Sequence, residues 1–194
     1  MLQTALHFSH TLLKEILQPG DQVVDATMGN GYDTVFMAEL IGKTGHVYSF
    51  DIQQQAIDST QEKLKAANLT ERTTLFLQGH ETLGQVISIN QPIKAGIFNL
   101  GYLPQSDKEI ITLPQTTKQA MEEILARLVP KGRLILVVYY GHVGGENELD
   151  MVQEFCQQLS QEQYNVLTYQ FINQKNQPPI LYCIEKKKKK REFS

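Results

Sequence analysis

The residues with the clearest chemical potential lie in one short run, Asp25-Ala26-Thr27-Met28-Gly29-Asn30-Gly31-Tyr32-Asp33-Thr34, between a β-branched stretch and an amphipathic one. Such a strand-to-helix turn carries ligands in open α/β sheets, because glycines let the backbone approach and N–H groups at the helix start point into the crevice. Asp51 stands 20 residues after Gly31, the distance at which a carboxylate ending the next strand accepts from two ribose hydroxyls. A dinucleotide fingerprint would read G-x-G-x-x-G, but Thr27 takes the first glycine's place and Asp25 precedes it, so a pyrophosphate would meet a carboxylate. A cofactor with an amino group and a sulfonium is attracted instead, which favours S-adenosylmethionine over NAD. Without a ligand, Asp25 reads as a helix cap and the glycines as a tight turn.

Three further runs would line the same crevice. Gln78-Gly79-His80-Glu81 continues a third strand and sets Gly79 and His80 at an adenine pocket, although His80 equally suits a helix cap. Phe98-Asn99-Leu100-Gly101-Tyr102-Leu103-Pro104 sends a polar Asn99 out of a buried strand, where it needs a hydrogen-bond partner. This run resembles the N-P-P-Y class of nitrogen methyltransferases, with Leu100-Gly101 in place of the two prolines. The resemblance implies an amino nitrogen as acceptor, Asn99 as its orienter and the Tyr102 ring as its platform, with Gly101 beside the cofactor. Tyr139-Tyr140-Gly141-His142-Val143-Gly144-Gly145-Glu146 is a glycine-rich loop that can close over the crevice. His142 there is a proton-acceptor candidate or a structural loop histidine, and Asp107 and Lys108 read as surface charges.

The elements needed to position these groups follow from periodicity. Leu2, Leu6, Ser9, Leu13 and Ile16 predict a helix over 2–17, ended by Pro19-Gly20. Strands are predicted at Gln22 to Asp25, His46 to Asp51, Thr73 to Leu77, Ala95 to Asn99 and Arg133 to Tyr139. Helical stripes separate them: Val35, Phe36 and Leu40; Ile57 and Leu64; Met121, Ile124, Leu125 and Leu128. A further helix carries Leu149, Val152, Phe155 and Leu159. Two last strands, Asn165 to Ile172 and Ile180 to Ile184, are joined by a polar connection too short for a crossover helix, so they should pair antiparallel. The fold class is α/β: a Rossmann-like, mostly parallel seven-stranded sheet with an antiparallel C-terminal hairpin and helices on both faces. One domain is expected over 1–185, followed by a basic, flexible tail over 186–194.

Composition limits the partners. The 194 residues are 41% hydrophobic and 20% charged, a globular composition. No run approaches the roughly 20 apolar residues of a membrane helix, so a cytoplasmic protein without membrane contact is expected. Cys156 and Cys183 lack the spacing of a zinc site or disulfide scaffold, so they read as buried thiols and no metal is expected. The net charge of −3 includes six basic residues from Lys186 to Arg191; without them 12 basic residues face 21 acidic ones, a net of −9. Any polyanion then needs a local basic patch, the tail, or a surface shared by a homodimer.

Taken together, D-A-T-M-G-N-G-Y-D-T, F-N-L-G-Y-L-P with Ser106-Asp107-Lys108, and Y-Y-G-H-V-G-G-E-N-E resemble the small methyltransferases that carry an rRNA-methylase label, the YtqB or MnmM family. The resemblance runs from Ala5-Leu6-His7-Phe8-Ser9-His10 to the closing hairpin. It implies methylation of the wobble uridine in the tRNA anticodon stem-loop, converting 5-aminomethyl-2-thiouridine to its 5-methylaminomethyl form. It also implies Asp25, Ala26, Thr27, Met28, Gly29, Asn30, Gly31, Asp33 and Thr34 around the methionine moiety, and Asp51, Ile52 and Gln53 at the ribose. Asn99, Tyr102 and His142 would face the uridine. Other readings stay open: an N-methyltransferase of another RNA base or a small amine, or a module that binds cofactor and RNA without catalysis.

Overall fold

The structure is a computed structural model that describes residues 1–101 and 111–188. Tyr102 and the Ser106-Asp107-Lys108 run lie outside the described residues, as does the chain from 189 onward. Seven strands form one sheet: β1 (Gln22–Asp25), β2 (His46–Asp51), β3 (Thr73–Leu77), β4 (Ile93–Leu100), β5 (Leu128–Val138), β6 (Tyr164–Tyr169) and β7 (Ile180–Lys186). Their order is β3-β2-β1-β4-β5-β7-β6. The first five run parallel, while β7 pairs antiparallel with both β5 and β6.

Alternation along the strands feeds two cores. Val23, Ile97 and Ile135 point to one face, where they meet α1 (Ala5–Lys14), α2 (Tyr32–Leu40) and α3 (Gln54–Ala66). Val24, Phe98 and Leu134 point to the other, under α4 (Leu83–Val86), α5 (Pro114–Arg127) and α6 (Gly145–Gln158). Both faces are covered, as parallel strands require. No helix among the described residues is long and apolar enough to cross a membrane.

Several expected details shift. The first helix is shorter than 2–17: Thr4 caps it by accepting from the His7 N–H, and its buried face is Ala5, Ser9, Leu12 and Leu13. Leu2 lies before it, 77% exposed. Helix α2 buries Met37 and Ala38, leaving Val35, Phe36 and Leu40 at the margin, and α3 buries Ala56, Thr60 and Leu64 rather than Ile57. Strand β5 opens at Leu128, which pairs with Ile93 ahead of a register shift, and ends before Tyr139. Strand β6 stops at Tyr169, so Phe171 and Ile172 belong to the connection. Lys186 pairs with Tyr164 inside β7, and the Lys187 N–H donates to Gln163 O at 2.8 Å, so the ordered domain runs past residue 185.

Helix α1 is tied down far from its own sequence. Phe8 packs on Tyr169 with ring centroids 4.5 Å apart, and the Tyr169 hydroxyl donates to Gln3 O at 2.6 Å. Arg133 on β5 donates to Leu12 O and Glu15 at the helix's other end. These contacts aim one helix face at the sheet's carboxyl edge.

Candidate active site

The strand order reverses between β1 and β4, and at that switch point, beyond the strands' carboxyl ends, lies a cavity of about 910 Å³. This is near the top of the roughly 300–1,000 Å³ usual for small-molecule sites, room for a nucleoside cofactor and part of a second ligand.

The donor end is a backbone cradle. Asp51, at the end of β2, accepts the N–H of Gly29 at 2.9 Å and of Gln53 at 3.0 Å, one on each oxygen. Each oxygen retains a lone pair for a ribose hydroxyl. Gly31 turns the chain into α2 at φ +80°, and a Cβ there would come within 2.5 Å of the Thr60 hydroxyl, so neither the angle nor the space admits a side chain. Thr27 joins the two strand ends by accepting the Asn99 N–H at 2.7 Å.

Thr27, Met28, Gly29, Asn30, Asp33, Asp51, Ile52 and Gln53 line the cavity, and Gly79 and His80 form its far wall. His80 is buried, and its Nδ1–H donates to Ala26 O at 3.0 Å. Nε2 is then an acceptor, buried and without a partner among the described residues, and burial lowers the imidazole's pKa, which favours the neutral ring.

Asp25, Ala26, Gly31 and Thr34 do not reach the cavity surface. Asp25 lies fully buried behind the loop, accepting from the Thr34 hydroxyl at 2.6 Å and the Thr27 N–H at 3.3 Å. Burial first, and then the neighbouring Asp33, push its carboxyl up to about 8. Asp25 therefore lies behind the loop, where its two hydrogen bonds shape the turn. Among the described residues, the carboxylates facing the cavity are Asp33, Asp51 and Glu81.

The acceptor end is built from distant pieces. Asn99 projects from β4, and its Nδ2 donates to Asp33 Oδ2 at 2.5 Å. Asp33 Oδ1 lies 2.6 Å from His10 Nε2, so α1 closes this wall with Leu6 and His10. Asn99 Oδ1 is buried with no partner among the described residues. Gly101 and His142 complete the wall; a Cβ at Gly101 would stand 3.7 Å from His142 Nε2. The His142 Nδ1–H donates to Val143 O at 3.0 Å.

Sequence reasoning overlooked Glu148, which is 1% exposed on α6. It accepts from the hydroxyls of Thr112 and Thr117. Thr112 in turn accepts the Gly101 N–H at 3.0 Å and donates its own N–H to Gly101 O. Burial raises the Glu148 carboxyl's pKa, opposed by its two hydroxyl donors and by His142. The Y-Y-G-H-V-G-G-E-N-E run contained this residue, but nothing local distinguishes it from a helix-surface glutamate. His10 and Leu6 were likewise readable only as helix residues; their i, i+4 spacing, which sets them on one face of α1, was the available signal.

A mostly parallel seven-stranded sheet with its last strand inserted antiparallel, holding a ribose-type carboxylate and a glycine cradle at its switch point, defines the class I methyltransferases that use S-adenosylmethionine. Comparison with known proteins agrees. A crystal structure of a Clostridium thermocellum protein, 45% identical and covering 96% of this chain and 99% of that one, superposes with a TM-score of 0.93. A Streptococcus mutans methyltransferase crystallised in complex with SAH is 43% identical over 96% of this chain and 99% of that one, at a TM-score of 0.87. The Arabidopsis thaliana protein "tRNA (mnm(5)s(2)U34)-methyltransferase, chloroplastic" is 36% identical over 94% of this chain and 69% of its own. Residues 47–185 match the family described as "Putative rRNA methylase", and the chain belongs to that family.

Proposed function

We propose that this enzyme methylates the amino nitrogen of 5-aminomethyl-2-thiouridine at the wobble position of tRNA, giving the 5-methylaminomethyl form. The observation that carries the reading is Asn99 Oδ1, a buried acceptor in the cavity wall without a partner among the described residues, which suits an N–H donor rather than a carboxylate or carbonyl. The name of the Arabidopsis relative supports the same acceptor.

When bound, S-adenosylmethionine supplies a methyl group on a sulfonium that departs as a neutral thioether. Asp51, Ile52 and Gln53 would hold its ribose, Gly79 and His80 its adenine, and the loop from Thr27 to Asn30 its methionine moiety, with Asp33 as the nearby anion. Positioning supplies most of the acceleration, because an in-line transfer needs alignment more than acid catalysis. An alkylamine is nucleophilic only when neutral. Asn99 Oδ1 would accept from the amine and aim its lone pair, and His142 Nε2 would take the released proton. Tyr102 would act as the aromatic platform for the base. At the rim, Tyr32 is 69% exposed with Lys63 Nζ 5.0 Å from its ring centroid, an aromatic and a cation suited to a splayed nucleotide. The anticodon stem-loop is the proposed partner, the cytoplasm the proposed site of action, and a homodimer the proposed form that enlarges the RNA surface.

The test is nucleoside mass analysis of tRNA from cells lacking the protein, where the unmethylated aminomethyl nucleoside should accumulate. In vitro, Asn99→Ala should bind SAH within about threefold of wild type while turnover falls about 100-fold or more. The family description favours a second reading, a base of rRNA; loss of a methylated rRNA nucleoside with unchanged tRNA would establish it.

A further inference from the structure

An amide such as Asn99 can present either of two faces to a substrate, and the face matters. Oδ1 accepts from an amine, whereas Nδ2 would donate to an oxygen acceptor. The strand alone does not choose, since χ2 of Asn is broad and roughly two-fold. What chooses here is Asp33, 8% exposed at its side chain, with Oδ2 at 2.5 Å from the Asn99 amide nitrogen. A carboxylate only accepts, so the NH2 group must face it and Oδ1 must face away. The second oxygen of Asp33 is held by His10 Nε2 at 2.6 Å, and that imidazole is stacked on Phe36, ring centroids 4.0 Å apart and 12° from parallel. His10 comes from α1, and α1 is pinned at both ends.

We propose that Asp33 and His10 are positioning residues that set the acceptor specificity of this site: Asp33 locks the Asn99 amide with Oδ1 toward the substrate, and His10 locks Asp33. The chain His10–Asp33–Asn99 thus selects acceptors that carry an N–H. This inference rests on the reading of the site as an amine methyltransferase. It makes the N-terminal helix part of the acceptor site rather than packing alone.

A polarity swap tests it. Asp33→Asn removes the choice of face, and turnover on aminomethyl-bearing tRNA at saturating cofactor should fall about tenfold or more. Asn99→Asp sets two carboxylates against each other and should lose more. In the double variant an Asn at 33 donates to an Asp at 99, whose other oxygen is again an acceptor, so turnover should recover about tenfold over the poorer single variant. Independently of turnover, the Asn99 side-chain amide protons should exchange slowly in wild type by NMR, and at least about tenfold faster in Asp33→Ala and His10→Ala. The inference is overturned if Asp33→Asn turns over like wild type, if the swap recovers nothing, or if amide exchange is unchanged. A wild-type chain inactive on this tRNA overturns the wobble reading and this inference together, whereas an active wild type matched by Asp33→Asn overturns the inference alone.

Discussion

The two ends of the cavity are held by different means. At the donor end the groups come from three short contiguous runs, and the polar contacts that fix them are largely to backbone: Asp51 on the N–H groups of Gly29 and Gln53, His80 on Ala26 O. At the acceptor end the contacts run between side chains from distant segments, His10 to Asp33 to Asn99 and Thr112 to Glu148. A backbone cradle tolerates most side-chain changes and fails when its conformation is lost. A side-chain network fails whenever one member is removed, because a buried group is left unpaired.

The largest expected effect follows from that contrast. Gly31→Val places a β-branched residue at φ +80° with its Cβ in the space of Thr60, a cost of roughly 2–4 kcal/mol to the loop. SAH binding should weaken about 100-fold or more by calorimetry. Near-normal affinity would mean that the cradle is not what holds the cofactor.

At the acceptor end Glu148→Gln replaces a double acceptor by an amide that offers its NH2 to one of the two threonine hydroxyls. The expected loss is about 1–2 kcal/mol of stability, measured by urea denaturation. Turnover on tRNA should fall about tenfold with SAH affinity preserved. Equal damage to SAH binding would erase the proposed independence of the two ends.

The same contrast decides what was legible in the sequence. β1, β2 and β3 have the expected bounds because each is a short β-branched or aromatic run stopped by a turn residue. That the residues from Thr27 to Asn30 and Asp51 to Gln53 share one crevice was legible because they form a glycine turn and a carboxylate at fixed spacing. Asp25 lies in the same loop but behind the cavity surface: a motif shows which residues are adjacent, not which layer each occupies. His10 and Glu148 were illegible for a related reason. Their partners lie 23 and 31 to 36 positions away, and no periodicity records a contact made by tertiary packing.

Asp25→Asn should have the smallest effect on turnover, and it isolates the layer behind the cradle. Burial and Asp33 raise the native carboxyl from 3.8 to about 8, so between those values the unfolded chain releases a proton that the folded one keeps. The sign follows: this group's contribution to stability is fully present below about pH 4, declines as pH rises, and levels off above about pH 8. An amide does not titrate, so wild type should lose stability relative to Asp25→Asn across that window, with a limiting slope of about 1.4 kcal/mol per pH unit. The side-chain amide still offers one oxygen to the Thr34 hydroxyl or the Thr27 N–H, so the loop should persist and SAH affinity at pH 7 should stay within a few-fold. Urea denaturation of both proteins at pH 5, 7 and 9 reads the difference. Parallel stability curves would show that Asp25 is ionised in the folded chain, which would return it to the anions available to a cationic donor.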